Sequence, residues 1–157
     1  MRQPEPPLSP IETQEIRFAG QSSSRKRLDI AKDLRGAGQD AVVLTAPDSI
    51  AWLTNLRGGD VPYTPFTLAF GILHADNRLI LYIDLRKVRP AVAQKIKDDV
   101  SLLPIDEFTM GLINLGQQSA NVRIDPASTA EAIHFCLKEA GATLAFDDDP
   151  CTVPKSL

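Results

Sequence analysis

Apolar residues along this chain recur at two spacings, and the alternation between them sets out the elements. Ile30, Ala31 and Leu34 lie on one face of a helical repeat. Ser22, Ser23 and Ser24 offer N-cap hydroxyls ahead of them, and Gly36 and Gly38 supply a stop, so a helix is predicted to about Arg35. Asp40 then leads into Ala41–Thr45, a short continuous apolar run of the kind found in strands buried on both faces. Pro47, Asp48 and Ser49 open a short helix over Ile50–Asn55 that carries Trp52. The stretch from Leu56 to Pro65 holds two glycines and two prolines and reads as a shaped loop.

Thr67–His74 and Leu79–Asp84 read as two strands joined by a tight turn, since Asp76 and Asn77 suit positive φ. Pro90 starts a helix to about Asp98, with Ala93, Ile96 and Val100 toward the core. A short strand over Ser101–Leu103, a helix from Asp106 to about Leu115 and a strand over Asn121–Asp125 follow. Ser128-Thr129-Ala130-Glu131 has the form of a capping box, opening a helix that ends at Gly141. Thr143–Phe146 is the last strand, broken by Asp147–Pro150. The proline-rich residues 1–21 read as an extended leader. The order predicts an α/β fold: a mixed β-sheet with helices on both faces, in which a three-strand meander is extended by parallel crossover strands. That is an RNase H-like topology; the alternative is a doubly wound sheet with one antiparallel edge.

Composition narrows the classes. The 157 residues are 43% hydrophobic and 24% charged, which suits one soluble globular domain. A net charge of -3 is not the footprint of a nucleic-acid binder, and no apolar run approaches the roughly 20 residues that cross a bilayer. Neither nucleic acid nor membrane is therefore expected as a partner. Cys136 and Cys151 form no CxxC pair, and two free thiols suit a reducing compartment. MRQPEPPLSP lacks the apolar segment of a secretory signal, so a cytoplasmic location is expected.

Candidate chemistry is sparse. With only His74 and His134 available, a hydrolytic metal centre or a Ser/His/Asp triad has little to be built from. Glu131 and His134 are spaced i, i+3, but with Lys138 they fall off the apolar stripe Ala130, Ile133, Cys136, Leu137, Ala140 and read as a solvated face. Phe135 also lies off that stripe and marks a small contact surface. Asp147, Asp148 and Asp149 lack the spacing of a calcium loop and read as a solvated domain end. Cys136 reads as a core residue and Cys151 as partly exposed. Arg25, Lys26 and Arg27, with Lys32 and Arg35, read as a solvated helix face. Phosphate-binding glycine motifs are absent. The one unusual feature is Asn55–Pro62, in which Arg57 and Asp60 can pair and fix the loop. Such a loop either satisfies itself or presents Arg57 to a ligand or neighbouring domain.

The string Ile50-Ala51-Trp52-Leu53-Thr54-Asn55-Leu56-Arg57-Gly58-Gly59-Asp60, within Asp40–Val61, closely resembles a segment of Xaa-Pro aminopeptidases of the creatinase/prolidase metallopeptidase family. The resemblance extends through Ile83-Asp84 to Asp149-Pro150-Cys151 and Pro154-Lys155, covering about residues 18–157 and leaving 1–17 as leader or linker. It implies the middle, non-catalytic domain of a three-domain enzyme, with the creatinase N-terminal fold. In that family two metal ions, usually manganese, sit in a later pita-bread domain on two Asp, one His and two Glu, and a bridging hydroxide attacks the bond before proline. None of those ligands carries over to this chain. No cofactor or metal site is therefore expected within it, and the chain alone is expected to be inactive.

The resemblance further implies that the parent's catalytic domain is the partner, that peptide substrate is met only indirectly, and that Trp52, Arg57 and Asp60 are candidates for substrate access or interdomain contact. Homodimerisation stays open. Two other readings stand beside this one: a free-standing interaction module using the Arg57 loop or the Phe135 surface, and the corresponding domain of a prolidase or creatinase-like enzyme.

Overall fold

The computed structural model describes residues 12–13, 22–54, 56–57, 69–88, 90–97 and 100–152. Helix α1 spans Ser23–Gly36 and begins as its serines dictate, with the Ser22 hydroxyl accepting from the Arg25 backbone N–H at 3.2 Å. Beyond its end Gly38 takes φ +71°, which turns the chain into strand β2, Ala41–Leu44. All four β2 residues are buried, as expected of a strand covered on both faces. Helix α2, Pro47–Thr54, begins at its proline, where a missing N–H costs nothing. Of residues 1–21, Glu12–Thr13 (β1) is described, and it pairs antiparallel with Leu56–Arg57 (β3), Glu12 opposite Arg57.

Strands β4 (Phe70–His74) and β5 (Leu79–Ile83) form the predicted hairpin. Its turn holds Asn77 at φ +78°, and the Asp76 carboxylate accepts from the Arg78 backbone N–H at 3.1 Å. After a 3₁₀ turn at Leu85–Lys87 come α3 (Pro90–Ile96), β6 (Val100–Pro104), a second 3₁₀ turn (Ile105–Glu107), α4 (Phe108–Gln117), β7 (Asn121–Ile124), α5 (Glu131–Ala140) and β8 (Thr143–Phe146). The main sheet runs β6-β5-β4-β2-β7-β8. β2, β4 and β5 are the antiparallel meander, β6 joins β5 in parallel, and β7 and β8 extend the other side in parallel. This is the mixed sheet anticipated from the order of elements.

The two faces carry separate cores. Ile30 and Leu34 of α1, Ile50 and Leu53 of α2 and Ile96 of α3 pack with Val42, Leu44, Leu73, Leu81 and Ile83 of the sheet. Phe108, Leu112 and Leu115 of α4 and Leu137 of α5 pack with Ala41, Val43, Ile72, Tyr82, Val122 and Ile124 on the other face. Successive residues of β2 thus feed opposite cores, the period-two geometry of a strand. The Phe70 and Phe108 rings stack at 4.5 Å between centroids.

Three local expectations are corrected. The capping box does not form: α5 starts at Glu131 with Ala130 as N-cap and no side-chain cap. Asp125 takes the Ser128 and Thr129 backbone N–H groups on its carbonyl, and the Ser128 carbonyl accepts from Thr45 Oγ1 at 2.7 Å, so the serine is held in a turn ahead of the helix. The helix expected from Asp106 is 3₁₀ at first and becomes α-helical at Phe108. The cysteines exchange roles: Cys151 is fully buried in the first core, while Cys136 is half-buried beside the second.

Candidate functional site

The last carbonyls of a helix have no partner within it. At the end of α2 those of Trp52 and Leu53 are taken up by side chains of α1. Lys26 Nζ donates to the Trp52 carbonyl at 2.7 Å, and Ser23 Oγ donates to the Leu53 carbonyl at 2.9 Å. Lys26 Nζ also lies 4.7 Å from the centre of the Trp52 ring, a cation–π arrangement. Arg27 donates to Ser23 Oγ at 3.0 Å, and Thr54 Oγ1 bonds back to the Ile50 carbonyl at 2.6 Å. An ammonium at a helix C-terminus also opposes the negative end of the helix dipole. The N-terminal turns of α1 therefore fix the point where the chain leaves α2 for β3.

Of the three residues singled out in the sequence, Trp52 is half-buried on α2 and Arg57 has its backbone in the β1–β3 pair. Asp60 and the proposed Arg57–Asp60 pairing lie outside the described residues. Lys26 and Arg27 were expected on a solvated face, and they are instead 2% and 3% exposed. Arg25, Lys32 and Arg35 do face water. The signal for burial was present in the spacing: positions 26, 27, 30, 31 and 34 share one helical face.

The chain beyond β8 is tied to the same side of the sheet. Asp147 and Asp148 are exposed, as expected of a domain end, but Asp149 is buried. The Asp149 N–H donates to the Asp125 carboxylate at 2.9 Å, and its own carboxylate accepts from the Cys151 N–H at 2.7 Å. Arg123 donates to the Asp148 carbonyl and lies 3.8 Å from the Asp147 carboxylate. Cys151 then enters the core that holds Ile50 and Leu53 of α2. The start of β3 and the chain after β8 thus both hang from the α1/α2 layer.

The two histidines stand apart from this region. His74 ends β4 in a small polar depression with Asp40, Asp76, Arg78 and Gln118. Burial, and next the Arg78 guanidinium, hold its pKa below the ordinary 6.5, against a weaker opposing pull from Asp76. The unfolded chain therefore binds the proton more readily than the folded one. Stability should fall as pH drops below about 6.5, down to the folded-state pKa, and then level off. Urea titrations of the wild type and His74→Gln between pH 7.5 and 5, taken as roughly neutral to mildly acid, should differ in slope; parallel curves would remove His74 as the cause.

His134 was expected in water with Glu131 and Lys138. It is half-buried, its ring meeting Phe146 edge-on at 5.7 Å, whereas Glu131 and Lys138 are exposed. Among the described residues no three His, Cys, Asp or Glu side chains converge to hold a metal ion. A two-metal centre has no ligand set among them.

Comparison with known proteins settles the family. The family model described as the creatinase/prolidase N-terminal domain matches residues 2–157. The chain belongs to that family. Among curated members, Aminopeptidase P2 of Arabidopsis thaliana is 33% identical over 138 residues, which cover 87% of this chain and 19% of the relative. A probable Xaa-Pro aminopeptidase P of Ajellomyces capsulatus is 35% identical over 134 residues, covering 85% of this chain and 22% of the relative. The creatinase/prolidase N-terminal domain described here therefore spans about a fifth of the length of these relatives.

Solved structures share the fold. An X-prolyl aminopeptidase of Caenorhabditis elegans, described as a cytosolic enzyme with a di-nuclear active site, superposes with TM-score 0.78 at 23% identity. That match covers 88% of this chain and 23% of the other. The N-terminal domain of the cytoplasmic peptidase PepQ of Mycobacterium tuberculosis superposes with TM-score 0.62 at 14% identity, covering 83% of this chain and 98% of the other. Among the described residues no helix is long and apolar enough to cross a membrane.

Proposed function

We propose that this chain serves as a non-catalytic accessory domain of a cytoplasmic Xaa-Pro aminopeptidase, packing against the catalytic domain and shaping the path of peptide substrates. The parent reaction is removal of the N-terminal residue from peptides with proline second, carried out by two divalent ions, manganese by expectation, in a separate domain. The observation that carries this reading is the match to aminopeptidase P proteins along most of this chain but only about a fifth of theirs. The α1–α2 junction supports it in detail. Ser23 and Lys26 hold the end of α2, so Trp52 and the following Leu56–Arg57 are presented from a fixed base.

Two measurements test the reading. An immunoblot of the native protein should show a band far above 17.1 kDa, and the 157-residue chain supplied with manganese should leave an Xaa-Pro peptide uncleaved. A native band at 17.1 kDa, or turnover proportional to added chain, would reject it. In the full-length peptidase, Arg57→Ala should change KM for long Xaa-Pro peptides about tenfold relative to KM for dipeptides, the equivalent of one charge-assisted hydrogen bond, while kcat on dipeptides holds. An unchanged ratio would remove Arg57 from the access path.

A further inference from the structure

Glu12–Thr13 and Leu56–Arg57 form a two-stranded sheet of their own. The six-stranded sheet takes up neither of them, so among the described strands β1 is the one that pairs with β3. The backbone of Arg57 is therefore flanked by a piece of the segment that reads from the sequence as a leader.

We infer that residues 12–13 are a backbone strap for the access site. They are positioning residues: they set where Arg57 stands, and through it the discrimination between long and short Xaa-Pro peptides. This rests on the function proposed above and adds to it the element that places Arg57.

The first support is the limited reach of the other restraint. Ser23 and Lys26 hold the Leu53 and Trp52 carbonyls at 2.9 and 2.7 Å. Those bonds act within α2 and fix the direction in which the chain leaves it. Each later residue adds two soft backbone dihedrals, so Leu56 and Arg57 need a restraint of their own. β1 supplies it at those two residues, with Thr13 opposite Leu56 and Glu12 opposite Arg57.

The second support is that so short a ladder can form here. Two isolated strands are marginal in water. These two arrive from α1 and α2, which are already bonded to each other through Ser23 and Lys26. The loop still to be closed is then only the short connection from Thr13 to Ser22, and its entropic cost is small. Residues 12–26 thus carry both restraints on the α2–β3 junction, one at each end of the same segment.

The third is that the strap is separable from the fold. The two cores are built from the five helices and the six-stranded sheet, so breaking the β1–β3 ladder should release β3 and leave the cores standing. Opposed pairs in an antiparallel ladder alternate between hydrogen-bonded and non-hydrogen-bonded. In either phase one of the Glu12 and Thr13 N–H groups donates to β3, and one of the Leu56 and Arg57 N–H groups donates back. Proline at both 12 and 13 removes the β1 donor whichever it is. Alanine at both keeps it.

Amide hydrogen exchange of the 157-residue chain tests the ladder. In Glu12→Pro with Thr13→Pro, the protected amide of Leu56 or Arg57 should exchange at least about tenfold faster than in the wild type, while α1 and β2 keep their protection. Glu12→Ala with Thr13→Ala should exchange as the wild type does. A chain lacking residues 1–13 is the second variant and should behave as the proline pair. Exchange at Leu56 and Arg57 that is equal in all these chains overturns the proposal. So does loss of α1 and β2 protection in both the proline pair and the shortened chain, since β1 would then belong to the core.

Kinetics of the parent peptidase proposed above test the role. The proline pair should shift the ratio of KM for long peptides to KM for dipeptides in the direction of Arg57→Ala, by up to the same tenfold or so, with kcat on dipeptides held. On an Arg57→Ala background it should add nothing, because a strap cannot position a side chain that has been removed. An unchanged ratio where Arg57→Ala shifts it overturns the strap and leaves the access reading standing. A shift that persists in full without Arg57 overturns it too. If Arg57→Ala itself leaves the ratio unchanged, the access role of Arg57 falls, and the strap falls with it.

Discussion

Gly116→Ala is expected to destabilise the fold by about 3 kcal/mol or more, at the upper end for overpacking a filled core. Gly116 lies where α4 passes α5, and a Cβ placed there would sit 2.6 Å from the Ala140 carbonyl carbon and 2.8 Å from its oxygen. Those are backbone atoms, so no rotamer change can relieve the contact; the two helices would have to separate. Gly141 closes the same contact from the other side, at φ +114° and with its own Cβ position 2.8 Å from the Gly116 carbonyl oxygen. For a domain of this size the melting temperature should fall by roughly 6–12 °C. A urea or thermal melt measures it, and a loss below about 0.5 kcal/mol, the range of an ordinary surface change, would mean that the helices do not meet here as closely as described.

Lys26→Met should cost about 2 kcal/mol, the worth of a hydrogen bond to a charged group. Methionine keeps most of the buried stem but strips the Trp52 carbonyl of the ammonium that donates to it at 2.7 Å. The ammonium over the indole is lost as well. Because Trp52 is the only tryptophan in the chain, native-state fluorescence reports on this junction alone. The emission should shift in the folded variant at zero denaturant, which a general loss of stability would not produce. An unchanged native spectrum would show that Lys26 does not hold Trp52 in solution. In the parent peptidase proposed above, the same variant tests whether α1 positions Arg57: a KM effect on long peptides that matches Arg57→Ala would place both on one support.

The candidate site was legible in the sequence only as a string. Trp52, Arg57 and Asp60 stood out by their neighbours and by the family resemblance, and the family itself followed from the same residues. What holds that string did not stand out, because Ser23 and Lys26 are separated in sequence from Leu53 and Trp52 by 30 and 26 residues. No local pattern pairs a helix's first turns with another helix's last carbonyls. The misjudged cap at Ser128 has a similar origin, since Thr45, 83 residues away, occupies the Ser128 carbonyl.

The sequence by itself determined the elements and their order, because each rests on local physics. The serines before α1, the uninterrupted apolar run of β2, Asn77 in the hairpin turn and Gly141 at the end of α5 each specify backbone geometry within a few residues. It also determined the family and the meander-plus-crossover sheet. Only the tertiary structure decided which charged and sulfur-bearing residues are inside. Lys26 and Asp149 are buried because a carbonyl distant in sequence and an N–H freed by a turn supply the hydrogen bonds that replace water, Arg27 is buried beside them with Ser23 of its own helix as a partner, and Cys151 follows the turn at Asp149 into the core that holds Ile50 and Leu53. The tertiary structure alone also left β8 at the rim with Phe135 and Phe146 beside it, for which strand lies outermost depends on the pairing of the whole sheet.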